Sequence, residues 1–337
     1  MPVGGNLSFV TLTAGGDHTC GLTAAGSAYC WGYNPNGELG DGQPVGSTQS
    51  RPSPVAVTGG LLFAKISAGG NYTRGLTSAG QAYCWGGWGN GELGDGGPSD
   101  RRRSSPGPVA GTIVFAQLST GYRHACGLTT GGQAFCWGKN QSGQLGDGTL
   151  TVRSAPVPVI GGTLFQQVAA GGDHSCGLTS AGAAACWGSD AYGQLGDGTT
   201  TNRATPGVVL SGIPITALSG FGQSIFGLAG DGRGYAWGWN LDGQLGDGTT
   251  TDRSTPVVGG GGLSFAEIAA ASYHSCGRTS AGAVFCWGRA SSLGNGSTTS
   301  SSVPVRVSLS WLSLAGTSFL AATAVHCAPG PSCPRYH

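Results

Sequence analysis

The sequence predicts an all-β protein, a β-propeller built from repeated blades. Three observations carry that expectation. Trp31, Trp85, Trp137, Trp187, Trp237 and Trp287 each precede a glycine in a similar cluster, at spacings of 54, 52, 50, 50 and 50 residues. The segment GQLGDGTTTDRSTPVV at 243–258 has close variants at 143–159 and 193–209, shorter echoes GELGDG at 37–42 and 91–96, and a worn LGNG at 293–296. Each unit holds several short β-like runs rather than apolar residues three and four apart, which is the pattern of a propeller blade and not of a helical solenoid.

The unit beginning at Phe165 shows the elements in order. FQQVAAG is a short apolar run ending in glycine, HSCGLT and AAACWG are β-like runs joined by a tight SAGA turn, the polar GQLGDGTTT loop follows, and a run rich in Pro and Val closes the unit. The turns TAAGSA, TSAGQA and TSAGAV keep a glycine at a fixed place, which suits a type I turn followed by a left-handed residue. Four strands per unit result. The units fall at about 8–60, 61–111, 112–162, 163–211, 212–261 and 262–308, with a partial unit at 309–326, all in one propeller domain over 1–326 and followed by a tail at 327–337.

The recurring HTCGLT, AYCWG, N-x-x-GELGDG and PVAV segments resemble the repeat of the regulator of chromosome condensation family over about residues 8–307. The resemblance implies a seven-bladed propeller, here with an incomplete or degenerate last blade, and a six-bladed or truncated ring is the alternative. The paired cysteines and the GDGTTT wording are more similar to bacterial members than to the eukaryotic nuclear one, and the family includes a secreted propeller-type inhibitor of β-lactamases. One departure stands out. After the sixth unit, SVPVRVSLSWLSLAGTSFLAAT resembles only the start of a unit, and AVHCAPGPSCPRYH matches nothing.

Cys20 and Cys30, Cys126 and Cys136, Cys176 and Cys186, and Cys276 and Cys286 are each ten positions apart and flank the same turn. Residues placed symmetrically about a hairpin face each other across two antiparallel strands, close enough for a disulfide. Buried free cysteines packed beside tryptophan are the alternative. The fifth unit lacks both partners, with Phe226 and Ala236, while the second sets Arg74 opposite Cys84 and leaves a lone thiol. Cys327 and Cys333 could pair in the tail. Four disulfides imply an oxidising compartment, hence an extracellular, periplasmic or cell-surface location, although Met1 to Val10 shows no signal peptide.

Composition narrows the function. Charged residues are 9% of the 337, glycine accounts for 67, and the net charge is +1, so no electrostatic pull toward nucleic acid or anionic membrane is expected. No window is apolar enough for a membrane span. The run Arg101-Arg102-Arg103 reads as a solvated loop. His18, His124, His174 and His274 recur at one place per unit and are expected to be structural. The repeated Asp41, Asp95, Asp147, Asp197 and Asp247 suit turns, with Arg153, Arg203 and Arg253 placed for local ion pairs. No cofactor, no metal and no catalytic residue is expected, and the chain is read as not an enzyme.

Function should lie where the units differ. Tyr33, Trp88, Tyr192 and Trp239 stand in the loops after Trp-Gly, and Tyr72, Tyr122, Arg123, Phe221 and Tyr273 in the loops before the hairpin. Such side chains are enriched at interface hot spots, the alternative being that they cap neighbouring blades. The expected function is non-enzymatic protein binding by a monomeric, exported or surface-exposed propeller. The alternatives are nucleotide exchange on a small GTPase, which the nuclear relative implies, and carbohydrate binding in the central channel.

Overall fold

The computed structural model describes residues 7–46, 50–87, 89–210 and 212–307. Among them lie six antiparallel four-stranded sheets, each with its strands in chain order. Blade one is β1 (Thr11–Ala14), β2 (His18–Leu22), β3 (Ala28–Gly32) and β4 (Arg51–Ala56); blade two is β5 (Lys65–Ala68), β6 (Tyr72–Leu76), β7 (Ala82–Gly86) and β8 (Arg103–Pro108). Blade three is β9 (Phe115–Thr120), β10 (His124–Thr129), β11 (Ala134–Gly138) and β12 (Arg153–Pro158); blade four is β13 (Gln167–Ala170), β14 (His174–Leu178), β15 (Ala184–Gly188) and β16 (Arg203–Val208). Blade five is β17 (Ile215–Phe221), β18 (Ser224–Ala229), β19 (Gly234–Gly238) and β20 (Arg253–Val258); blade six is β21 (Glu267–Ala270), β22 (His274–Arg278), β23 (Val284–Gly288) and β24 (Ser301–Arg306).

Consecutive inner strands β1, β5, β9, β13, β17 and β21 pack side by side around the propeller axis. Strands of different blades share no ladder, so side chains supply the missing bonds. The Gln117 amide donates to the Val168 carbonyl and accepts from the Val168 N–H, at 3.2 and 3.1 Å, and Gln167 does the same to Leu218 at 2.8 Å for both. Ser119 and Ser219 accept from the N–H groups of Ala170 and Ala270.

The core lies between blades, which explains the tryptophan ruler. Trp85, Trp137, Trp187, Trp237 and Trp287 are fully buried, each under the Leu-Gly of the preceding blade's polar loop. The indole N–H of Trp187 donates to the Gln144 carbonyl at 3.0 Å, and those of Trp237 and Trp287 do likewise to Gln194 and Gln244. Gly146 has φ +68°, and a Cβ on it would lie 2.8 Å from Trp187 Nε1, so the motif needs glycine for both conformation and space. The phenylalanine that opens five of the six units, replaced by Ile215 in blade five, completes the packing, as with Phe63 and Trp85 at 5.7 Å between ring centroids.

The structure corrects the expected count: among the described residues there are six blades, not seven. A blade needs a hairpin and a Trp-Gly strand, and the chain holds no Trp-Gly pair after Gly288. The outgoing face of blade six also differs chemically. Blades one to five place Leu22, Leu76, Leu128, Leu178 and Leu228 against the next blade, whereas blade six has Arg278, whose guanidinium pairs with Glu267 at 2.9 Å. A charged pair stands there in place of an apolar knob. The expected partial unit at 309–326, and Cys327 and Cys333, lie outside the described residues.

The cysteine pairs stand directly opposite each other in register, and all four are bridged, with Cα separations of 4.0 to 4.1 Å. Cys84 is a free, buried thiol opposite Arg74.

Candidate functional site: the loop face

The variable loops are drawn together by one backbone device. The chain leaves each Trp-Gly strand at a left-handed glycine, and the next N–H donates to the residue before the hairpin of the same blade. Lys139 bonds to the Arg123 carbonyl, Ser189 to Asp173, Trp239 to Gln223 and Arg289 to Tyr273, at 2.8 to 3.0 Å. The loop before each hairpin and the loop after each Trp-Gly therefore share one face. A position fixed by backbone bonds is free to vary in side chain, which is why the six units diverge there.

On blades four to six those side chains touch. Tyr192 and Trp239 have ring centroids 6.1 Å apart, and Trp239 and Tyr273 meet edge to face at 5.6 Å. The Arg289 guanidinium lies 3.7 Å from the Tyr273 ring centroid and pairs with Asp242 at 3.0 Å. Tyr192 is 42% exposed. The result is a strip of three rings and one cation, with the exposed Leu241 beside it in sequence. Beneath it, Gln244 uses its amide oxygen to accept from Asp242 N–H, while its buried amide nitrogen has no partner. The equivalent nitrogens of Gln144 and Gln194 donate to Asp173 and Gln223 of the next blade.

The other expected residues are distributed more widely. Tyr33 is 44% exposed at the corresponding place on blade one. Tyr122 and Arg123 form a cation–π pair at 5.7 Å on blade three, where Lys139 also pairs with Asp173 at 3.0 Å. Phe221 is half-buried and lines the central cavity. Trp88 lies outside the described residues. Tyr72 is not a surface residue. It is fully buried, with its hydroxyl 2.7 Å from the Gly121 carbonyl and 2.5 Å from that of His124, and so clamps blade two to blade three. Arg289, Asp242 and Lys139 were not singled out in the sequence. Aligning the residues that directly follow Trp-Gly would have found Arg289 and Lys139 beside Trp239 and Tyr33.

The histidines work inside the blade interfaces. His18 Nε2 lies 2.7 Å from the Thr73 hydroxyl, which donates to the Glu38 carbonyl, and His124 Nε2 meets Ser175, which donates to Gln144. Each hydroxyl has one proton and gives it to a carbonyl, so each imidazole must donate from Nε2. Burial pushes His124 down to about 3 and His174 down to about 4, leaving both neutral. Among the described residues no three His, Cys, Asp or Glu are grouped to share a metal ion. The loop aspartates make the local pairs expected of them, Asp147 with Arg153 at 2.9 Å and Asp247 with Arg253 at 2.7 Å. No described helix is long and apolar enough to cross a membrane.

A family model described as the RCC1-like domain matches residues 2–328. The chain belongs to the RCC1-like domain family. Relatives of this RCC1-like chain include the ultraviolet-B receptor UVR8 of Arabidopsis thaliana, 32% identical over 139 residues, which are 41% of the chain and 31% of UVR8. The regulator of chromosome condensation of Drosophila melanogaster is 31% identical over 145 residues, 43% of the chain and 26% of that protein. The matched stretch thus spans under a third of the length of either relative. Among solved structures, human WBSCR16 superposes with a TM-score of 0.80 at 21% identity, covering 90% of the chain and 83% of its own. Yeast RCC1 (Prp20) bound to Kap60 gives 0.75 at 23%, covering 88% and 74%. At such identities these two share the fold.

Proposed function

We propose that this RCC1-like propeller is a non-enzymatic binding protein that grips a partner protein through its loop face, with the strip Tyr192, Trp239, Tyr273 and Arg289 at the centre of the contact. The observation that carries this reading is the strip itself. Aromatic rings from three blades touch on loops whose backbone is fixed and whose sequence is free to vary, and rigid aromatic and arginine side chains are what interface hot spots use. The non-enzymatic part of the reading rests on the positive roles of these groups, the histidines serving blade interfaces and the loop aspartates serving local ion pairs. Four disulfides support work in an oxidising compartment, outside the cytoplasm. Since the repeat resembles a family that includes a secreted propeller-type inhibitor, inhibition of a target protein is one form the function would take.

The test is affinity capture from extracellular fractions by the full chain, by the double variant Tyr192→Ala, Trp239→Ala, and by Leu164→Ala, whose exposed side chain lies at the hairpin-turn end of the blades. The expected outcome is a partner held by the parent and by Leu164→Ala and weakened about a hundredfold by the double variant, the loss of two hot-spot side chains. A partner retained by the double variant would remove the strip from the function. Accelerated nucleotide release from a small GTPase, unaffected by the same pair, would favour an exchange factor instead.

A further inference from the structure

The inner strands enclose a cavity of about 490 Å³ along the propeller axis. Its wall comes from the inner strands of all six blades and their adjoining residues, with two exceptions, Arg74 and Leu76 of β6. The cavity therefore reaches outward between β5 and β9 to the second strand of blade two, as it does at no other blade. Among the described residues only two that line it are charged, Lys65 and Arg74, and none is a carboxylate.

Arg74 is fully buried in a setting that leaves it incompletely satisfied. Nη2 donates to the Glu92 carbonyl at 2.6 Å, and the guanidinium lies 4.4 Å from the Tyr72 ring centroid and 4.8 Å from that of Trp137. Nε and Nη1 are buried with no hydrogen-bond partner. A buried cation with idle donors is costly unless an anion or acceptor meets it. Lys65 spends one of its three donors on the Ala116 carbonyl at 3.0 Å.

Neither cation is required by the blade. At the Arg74 position the other blades carry Cys20, Cys126, Cys176, Phe226 and Cys276, and at the Lys65 position they carry Thr11, Gln117, Gln167, Ala217 and Glu267. Blade two gives up its disulfide for the guanidinium, and its lysine sits on the same cavity wall. The geometry points to a small-oxyanion site in the central cavity, a carboxylate or phosphate group held at the blade-two wall between the Lys65 ammonium and the idle donors of Arg74. Charge complementarity supplies the attraction, and the low dielectric around the buried guanidinium strengthens it.

The test titrates the full chain with inorganic phosphate and, separately, with acetate, at ionic strength held constant with chloride, reading heats and the melting temperature. Two variants restore what other blades carry, so each should fold: Lys65→Gln, and Arg74→Cys, which places a cysteine opposite Cys84 as in four other blades. Saturable binding of one anion per chain, weakened about tenfold or more by each variant, is the expected result. Phosphate alone would mark a phosphoryl ligand, and acetate as well would mark a carboxylate. The double variant of the loop face should bind the anion unchanged, which separates this site from the partner contact. If Arg74 serves only to clamp blades two and three, Arg74→Cys shifts the melting temperature and leaves the titration as it was. No saturation with either anion, or equal binding by Lys65→Gln and the parent, overturns the site.

Discussion

At the scale of single residues, the departures from the repeat carry the physical information. Glu38 is buried in blade one where blades three to five have Gln144, Gln194 and Gln244. Its carboxylate accepts from the Asn36 N–H at 2.9 Å and the Asn36 side-chain amide at 2.7 Å, but burial outweighs these bonds and pushes it up to about 7. A folded-state value above the unfolded one means that Glu38 stabilises the fold in its protonated form, and that this contribution is lost as pH rises from about 4.5 through about 7. Glu38→Gln keeps the acceptor and removes the charge. The variant should match the parent near pH 4.5 and exceed it at pH 8 by a few kcal/mol at most, on the order of one pKa unit per 1.4 kcal/mol. Urea titrations at several pH values would show it, and parallel pH profiles for the two proteins would reject it. Tyr72 illustrates the same principle in reverse: where blade two replaces histidine by the longer tyrosine, blade three offers Ala125 rather than the Ser or Thr that receives His18 and His124 elsewhere. In blade five Ile225 fills that place, and both nitrogens of His174 have no partner.

At the scale of the element, the polar loop is the part that a blade cannot do without. Asn140 accepts from Leu145 N–H and donates toward Asp147 and the carbonyls of Thr149 and Thr151, while Asp147 holds Arg153. Partial burial opposes ionisation of Asp147, yet bonds from Thr149 and Arg153 hold its carboxyl below the usual range. The loop is therefore a self-satisfied cluster that carries Leu145 and Gly146 onto Trp187 of the next blade. Gly146→Ala should cost several kcal/mol, combining about 1 to 3 kcal/mol of backbone strain with overpacking against a buried indole. Gly248→Ala is the control. It has a similar φ, +84°, and nothing within 4 Å of the added methyl, so it should show the strain alone. Equal losses in the two variants would mean that the Leu-Gly contact is not what closes the interface.

At the scale of the whole molecule, the disulfides decide how the protein persists. Each bridge joins residues ten apart and closes a short loop, worth about 2 to 3 kcal/mol in the chain-entropy account. Alkylation of denatured, unreduced protein followed by peptide mapping should label Cys84 and protect Cys20, Cys30, Cys126, Cys136, Cys176, Cys186, Cys276 and Cys286. Labelling of those eight in freshly isolated protein would remove the case for an oxidising compartment. In the folded protein Cys84 should resist alkylation, since burial pushes its thiol up to about 11 and shuts out reagent.

Much of this was legible in the chain before any coordinates. The tryptophan spacing, the glycine turns and the ten-residue cysteine pairs dictate a propeller blade, because each is a local requirement: a hairpin fixes which residues face each other, and a turn fixes where only glycine fits. The loop face was half legible. Sequence variation identified Tyr192, Trp239 and Tyr273, but it ranked them equally with Tyr72, because exposure depends on what the next blade presents. The number of blades was not legible, since the start of a unit after Val307 resembles a blade without showing whether a hairpin and outer strand complete it. Only the tertiary structure placed Arg289 over Tyr273, brought Lys65 and Arg74 to one cavity wall, and buried Tyr72. Tyr72 is buried by a unit about fifty residues away, and the other two placements depend on how loops and strands of one blade sit in the assembled ring, about which local sequence rules hold no information.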